Sequence, residues 1–163
     1  LIEYQGPKIK PRQIDVTPSM LDNFQESLLF FYGGRHNKSK PSLDLLTTHM
    51  KSAEDILAEI KKIGYEIETA FEQSDLQRVA EIIGEQQKLK QSLPGKFLDD
   101  YVLDITKKVR DTGAYAQLPG GKISAFVIVC CPDGQHDAVR AALSDLTEID
   151  MKLETSGTSA IEL

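Results

Sequence analysis

The segment from Ala125 to Cys131 is apolar without a break, and turn signals bound it on both sides: Pro119-Gly120-Gly121 before it and Pro132-Asp133-Gly134 after it. An apolar run of this length between turns reads as a buried β-strand. We place that strand at Ile123–Cys131. Because it does not alternate between apolar and polar residues, it belongs in the middle of its sheet. It is far too short to cross a bilayer, which takes about 20 apolar residues.

The residues before this strand follow a different period. Leu1–Thr17 reads as extended, with Gly6-Pro7 as a turn and β-branched Ile9, Ile14 and Val16, so a β-hairpin is expected. Thr17-Pro18-Ser19 starts a short helix running to about Glu26. Leu28–Tyr32 is a compact apolar strand closed by Gly33-Gly34. From Leu43 to Val109 the pattern is helical. Ala53, Ile56, Leu57, Ile60 and Ile63 share one stripe, and Leu76, Val79, Ala80 and Ile83 share a second behind the N-cap Asp75. A break at Ser92–Lys96 precedes a third helix with Leu98, Tyr101, Val102, Ile105 and Val109 in register. Asp99 and Asp100 lie in its first turn, and Lys107, Lys108 and Arg110 in its last, which suits the helix dipole. Gly113 ends it.

Beyond Gly113 the period returns to that of strands. Ala114–Leu118 is short and extended. After the central strand, Ala138, Val139, Ala142, Leu143 and Leu146 mark an amphipathic helix. Ile149, Met151 and Leu153 alternate as a half-buried strand, and Ser159–Leu163 is a last strand. Strands, a helical middle and then β-α-β-β give an α+β domain, with helices on one face of a mostly antiparallel sheet.

One compact domain, residues 1–163, accommodates the length and the 40% hydrophobic content. A net charge of -6 gives no general attraction to nucleic acid or anionic membrane, and neither is expected as a partner. Adjacent Cys130 and Cys131 would point to opposite faces of a strand, so reduced thiols in a cytoplasmic protein are expected. His36, His49 and His136 lack zinc-site spacing, and no metal ligands are assigned.

Two segments could carry chemistry. Gly113 to Ser124 places glycines between a helix and a buried strand, where backbone amides can approach an anion; Lys122 adds charge and Ser124 a hydroxyl. It is not a P-loop, since the GxxxxGK[ST] spacing is missing. Gly33 to Ser42 gathers Arg35, His36, Lys38 and Lys40, a basic loop able to hold a phosphate or a carboxylate. From spacing alone the first reads sooner as a glycine turn and the second as a solvated loop. Glu66, Glu68 and Glu72 read as a solvated helix face. No nucleophile is paired with a base in the manner of a hydrolase.

The order of these features resembles the C-terminal half of GHMP kinases, the superfamily of galactokinase, homoserine kinase, mevalonate kinase and phosphomevalonate kinase. The likeness is strongest to D-glycero-D-manno-heptose 7-phosphate kinase and L-fucokinase-like enzymes, and it covers nearly the whole chain. It rests on Leu28–Arg35, on Ala53–Leu57, on the helices from Asp75 to Leu93, on Gly113–Gly121 followed by Phe126–Val129, and on Met151–Thr158. Where the family carries an unbroken glycine run, this chain has Gly120-Gly121-Lys122-Ile123-Ser124, one residue shorter. Gln117 stands where the family has lysine.

The resemblance implies a ferredoxin-like GHMP kinase C-terminal domain with additional helices. It implies the substrate-side part of an ATP-dependent sugar or sugar-phosphate kinase, a transferase that phosphorylates an alcohol group. ATP and Mg2+ would be held by an N-terminal ATP-binding domain of the same polypeptide, not by this domain alone. The isolated chain, which starts on Leu1, is then expected to be an inactive piece. Arg35, Lys38, Gly120, Gly121, Lys122 and Ser124 are the residues expected in the substrate or phosphate cleft. The rival expectation is a non-catalytic binding, regulatory or dimerisation module with the same fold.

Overall fold

The computed structural model describes residues 1–33, 44, 47–94, 97–119 and 126–154. The chain opens with a hairpin, β1 (Ile2–Gln5) and β2 (Lys8–Pro11). Just past it, the Arg12 guanidinium grips the Glu68 carboxylate with both arms, one at 2.6 Å. Glu68 is buried, so the expected solvated acidic face is broken at this position. A carboxylate there needs the arginine as its partner.

Helix α1 (Pro18–Ser27) begins as its residues dictate: the Thr17 hydroxyl accepts from the Met20 amide at 3.2 Å, with Pro18 in the first turn. Strand β3 (Leu28–Tyr32) follows. Helix α2 (Met50–Glu72) is the longest element, at about 35 Å. Helix α3 (Leu76–Gln91) is capped by Asp75, which accepts from the Arg78 amide at 2.9 Å. Helix α4 (Asp100–Asp111) is capped by Asp99 in the same manner at 3.0 Å, so Asp99 precedes the first turn instead of lying in it. Gly113, at φ +84°, supplies the left-handed residue that ends α4. Then come β4 (Tyr115–Gln117), β5 (Phe126–Cys130), α5 (His136–Ala142) and β6 (Thr147–Glu148).

The four-stranded antiparallel sheet has the order β4-β5-β3-β6, with β5 inside as its apolar run requires. The path β3, helices, β4, β5, α5, β6 through that order is ferredoxin-like, and α1 to α3 add a further helical layer.

Successive strand residues alternate between two faces. Leu29, Phe31, Val127, Val129 and Cys131 turn to one core with Val102, Ile105 and Val109 of α4 and Val139 of α5. Leu28, Tyr115 and Cys130 turn to a second core with Met20 of α1 and Val79, Ala80, Ile82 and Ile83 of α3. Helices therefore pack on both faces, not on the one face that the element order implied. Helix α2 joins the two cores: Ala53 lies in the first, Ile63 and Ala70 in the second. The adjacent cysteines are both free and buried, one in each core.

Two expectations fail near the C-terminus. Helix α5 stops at Ala142, short of Leu146. Ser144 and Asp145 favour a turn, and the Leu146 amide closes it on Leu143 O at 2.9 Å, which still lets Leu146 reach the first core. The strand expected over Ile149–Leu153 is instead Thr147–Glu148, paired with Tyr32 and Phe31. Ile149 adds one bond to Phe30 O, and the Leu153 amide donates to the Gln25 side chain instead of to a strand. Pairing with β3, not alternation, sets where this strand lies. The strand expected over Ser159–Leu163 lies outside the described residues.

Candidate functional site

All six residues expected to line the cleft, Arg35, Lys38, Gly120, Gly121, Lys122 and Ser124, lie outside the described residues. The strand ends that carry their two segments are described. Tyr32, the last residue of β3, stands opposite Phe126, the first of β5. Gln117, the last of β4, stands opposite Ile128. The segment after Gly33 and the segment between Pro119 and Phe126 are therefore attached at the same end of the sheet.

That end carries an aromatic cluster. Phe30, Tyr32 and Phe126 occupy the sheet face that holds the second core further along. The Phe30 and Phe126 rings stack, with centroids 5.3 Å apart and planes 8° apart. Tyr32 lies 5.5 Å from Phe126 at a tilt of 46°. Phe126 is 40% exposed. On the other side of β3, the Tyr101 hydroxyl of α4 donates to Gly33 O at 3.3 Å, so α4 holds the point where the chain leaves the strand. Such a platform can stack on a ring or seat an apolar surface. Its one polar side-chain group is the Tyr32 hydroxyl.

Helix α3 braces the neighbouring strand end. Gln87 Oε1 accepts from the Leu118 amide at 3.3 Å, Gln117 Nε2 donates to Gln86 Oε1 at 2.5 Å, and Lys90 Nζ donates to Leu118 O at 3.2 Å. Burial pushes the Lys90 ammonium down from its ordinary value. Lys90 is a cation held two residues from the glycine segment, and sequence reading missed it. Its one signal, a place in the basic last turn of a helix, also fits simple dipole compensation.

His136 Nε2 sits 2.9 Å from Glu26 O, tying α5 to α1. No cluster of three His, Cys, Asp or Glu side chains that could hold an ion is present among the described residues. No described helix is long and apolar enough to cross a membrane.

No family model and no curated protein sequence matches the chain. Solved structures do. Mevalonate kinase from L. major, in complex with R-mevalonate, aligns with a TM-score of 0.68 at 14% identity, over 90% of this chain and 47% of that one. Phosphomevalonate kinase from Streptococcus pneumoniae aligns at 0.62 with 15% identity, over 76% and 38%. Mevalonate diphosphate decarboxylase from Staphylococcus aureus aligns at 0.54 with 14% identity, over 78% and 44%. The chain spans less than half the length of each of these proteins. At such identities the likeness establishes the fold alone, an α+β, ferredoxin-like domain with additional helices that recurs within these longer enzymes.

Proposed function

We propose that the chain is the substrate-side, C-terminal domain of an ATP-dependent GHMP-type kinase that phosphorylates an alcohol group of a sugar or sugar phosphate, such as a heptose phosphate. The observation that carries this reading is the pairing of Tyr32 with Phe126, since it attaches the basic segment and the glycine segment at one end of the sheet. In this reading Arg35 and Lys38 hold the anionic part of the substrate. Gly120, Gly121, Lys122 and Ser124 line the facing wall, with Lys90 behind them. Catalysis of phosphoryl transfer rests mainly on positioning and on neutralising charge, which is the work these residue types can do.

ATP and Mg2+ belong to the N-terminal domain of the same polypeptide in this proposal. That assignment agrees with the share of each kinase that the chain spans. The Phe30–Phe126 platform would take the sugar ring or the apposed domain.

The test is a phosphorylation assay on the polypeptide that contains this domain together with its upstream segment. The panel holds sugars, sugar phosphates and mevalonate, and transfer from labelled ATP is measured. Turnover of a sugar or sugar phosphate is expected, and Arg35→Ala combined with Lys122→Ala should cut it by about a hundredfold or more. The 163-residue chain alone should give none. Turnover by that chain alone, or by the whole polypeptide with mevalonate but no sugar, sinks the proposal.

A further inference from the structure

The outer edge of β4 borders a cleft of about 230 Å³ between α3 and α4. The direction of its backbone follows from the sheet. The Cys131 amide donates to Ser27 O at 2.8 Å, so residues 127, 129 and 131 turn their polar backbone groups toward β3. Ile128 and Cys130 then bond β4, at Gln117 and Tyr115. Ala116, opposite Val129, turns both its N–H and its C=O away from the sheet, and Leu118 does the same. Leu118 bears this out, because its N–H reaches Gln87 and its C=O reaches Lys90. Among the described residues no side chain serves Ala116 in this way. Ala116 lines the cleft and is 6% exposed.

Gln87 adds a second unmet group. It also lines the cleft and is 3% exposed. Its Oε1 is taken by Leu118, which leaves Nε2 without a partner. Two donors and one acceptor thus border one small space. Buried polar groups without partners are rare, because each forfeits a hydrogen bond that water would have made.

The remaining walls define what fits. A Cβ at Gly84 would lie 2.7 Å from Tyr115 Cδ1, so the ring packs directly on the α3 backbone and makes a flat wall. Lys88 and Arg110 line the cleft without an ion pair among the described residues. The two acids there, Glu81 and Glu85, are already held by Arg78, at 3.4 and 2.8 Å. Glu81 and Glu85 share the one charge of Arg78 with Glu66, and Lys88 and Arg110 are the lining cations that no acid engages among the described residues. Its volume lies below the roughly 300–1,000 Å³ of sites for drug-sized ligands, which leaves space for a single ring.

We propose that this cleft binds a small planar molecule carrying a cis-amide edge and a carboxylate. The ligand's C=O would accept from the Ala116 amide and its adjacent N–H would donate to Ala116 O. A second ring oxygen would accept from Gln87 Nε2, and the carboxylate would meet Lys88 and Arg110. The site runs along the edge of β4, whereas the proposed transfer cleft lies at the strand ends, so it serves as an accessory site for an effector.

The test uses orotate, which has both features. Uracil has the edge without the charge, and benzoate the charge without the edge. Each is titrated into the full chain while backbone amides are followed by NMR. Before any ligand is added, the Ala116 amide should exchange with solvent deuterium faster than those of Tyr115 and Gln117, which lie in the ladder. Orotate should shift the Ala116 amide, slow its exchange and saturate. Uracil and benzoate should each bind about tenfold more weakly or worse. Arg110→Ala, an exposed change, should weaken orotate about tenfold and leave uracil unchanged. Gln87→Glu keeps the acceptor for Leu118 and should also weaken orotate; if that variant fails to fold, the Arg110 arm still decides. An Ala116 amide as protected as its neighbours in the free chain overturns the edge geometry. Shifts that do not saturate with orotate mean the cleft holds water only. Equal affinity for uracil or benzoate overturns the ligand class.

Discussion

Phe31 and Tyr32 are adjacent in β3, yet Phe31 is 2% exposed while Tyr32 is only half-buried. Phe31 turns with Leu29, Val127 and Val129 to the face that α4 and α5 close. Tyr32 turns with Phe30 and Phe126 to the other face, which α1 and α3 cover only at its far end, around Leu28 and Cys130. The closed face holds the sheet together. The partly covered face leaves aromatic surface beside the two segments proposed to contact substrate. A sheet covered unevenly can thus be rigid on one side and available for contact on the other.

The sharpest way to break this comparison is to truncate one residue on each face. Phe31→Ala should cost about 3–5 kcal/mol in urea unfolding, the range for a large aromatic lost from a dry core. A loss below about 1.5 kcal/mol would mean that this face is not closed.

The cysteines probe both cores at once. Burial foremost, with neighbouring Cys130 adding to it, pushes the Cys131 thiol up to about 12. Burial also raises Cys130, offset in part by its contact with Ser27. Both shifts favour the neutral thiol in the folded chain, whereas unfolded thiols ionise near ~8.5. This contribution to stability is therefore complete below about pH 8.5 and is lost as pH climbs toward 12. Iodoacetamide labelling at pH 8.5, read by mass spectrometry, should be suppressed by about a thousandfold at Cys131 until urea unfolds the chain. Rapid native labelling of Cys131 would show that its core opens.

On the open end the effects shrink. Phe126→Ala loses a half-exposed ring and one stacked partner, and should cost about 1 kcal/mol in the same urea experiment. A cost equal to that of Phe31→Ala would erase the distinction between the faces. The smallest effect is expected where Arg140 meets Glu148 at 2.9 Å and pins β6 from the surface. Both side chains are more than a third exposed, so Arg140→Ala should cost about 0.5 kcal/mol, less in high salt.

Much of the architecture is legible locally because its signals are local. Thr17 and Asp75 each cap a helix through a side chain that reaches only three residues ahead; Asp99 does the same, although the sequence places it in the first turn. The apolar run ending at Cys131 marks a central strand, because no other place in a sheet tolerates it. The C-terminal strand was misplaced for the opposite reason. Alternation over Ile149–Leu153 is a weak local pattern, and pairing with Phe31 and Tyr32 overrides it. Of the candidate site, the two segments are recognisable from glycine and basic residues, but their common end of the sheet is not, since it depends on the register between β3 and β5.

Residue order alone therefore settles where most helices start, the central strand and the α+β class, since each depends on neighbours within a few positions along the chain; it leaves open the end of α5 and the capping role of Asp99. Only the folded chain decides which residues separated by dozens of positions share an environment. Arg12 must find Glu68 before that carboxylate can be buried. Lys90 and Gln87 must meet Leu118, and the parity of β4 must turn Ala116 outward, before either end of that strand has any chemistry to offer. Periodicity assigns a residue to a face of its own element; packing between elements determines what that face meets.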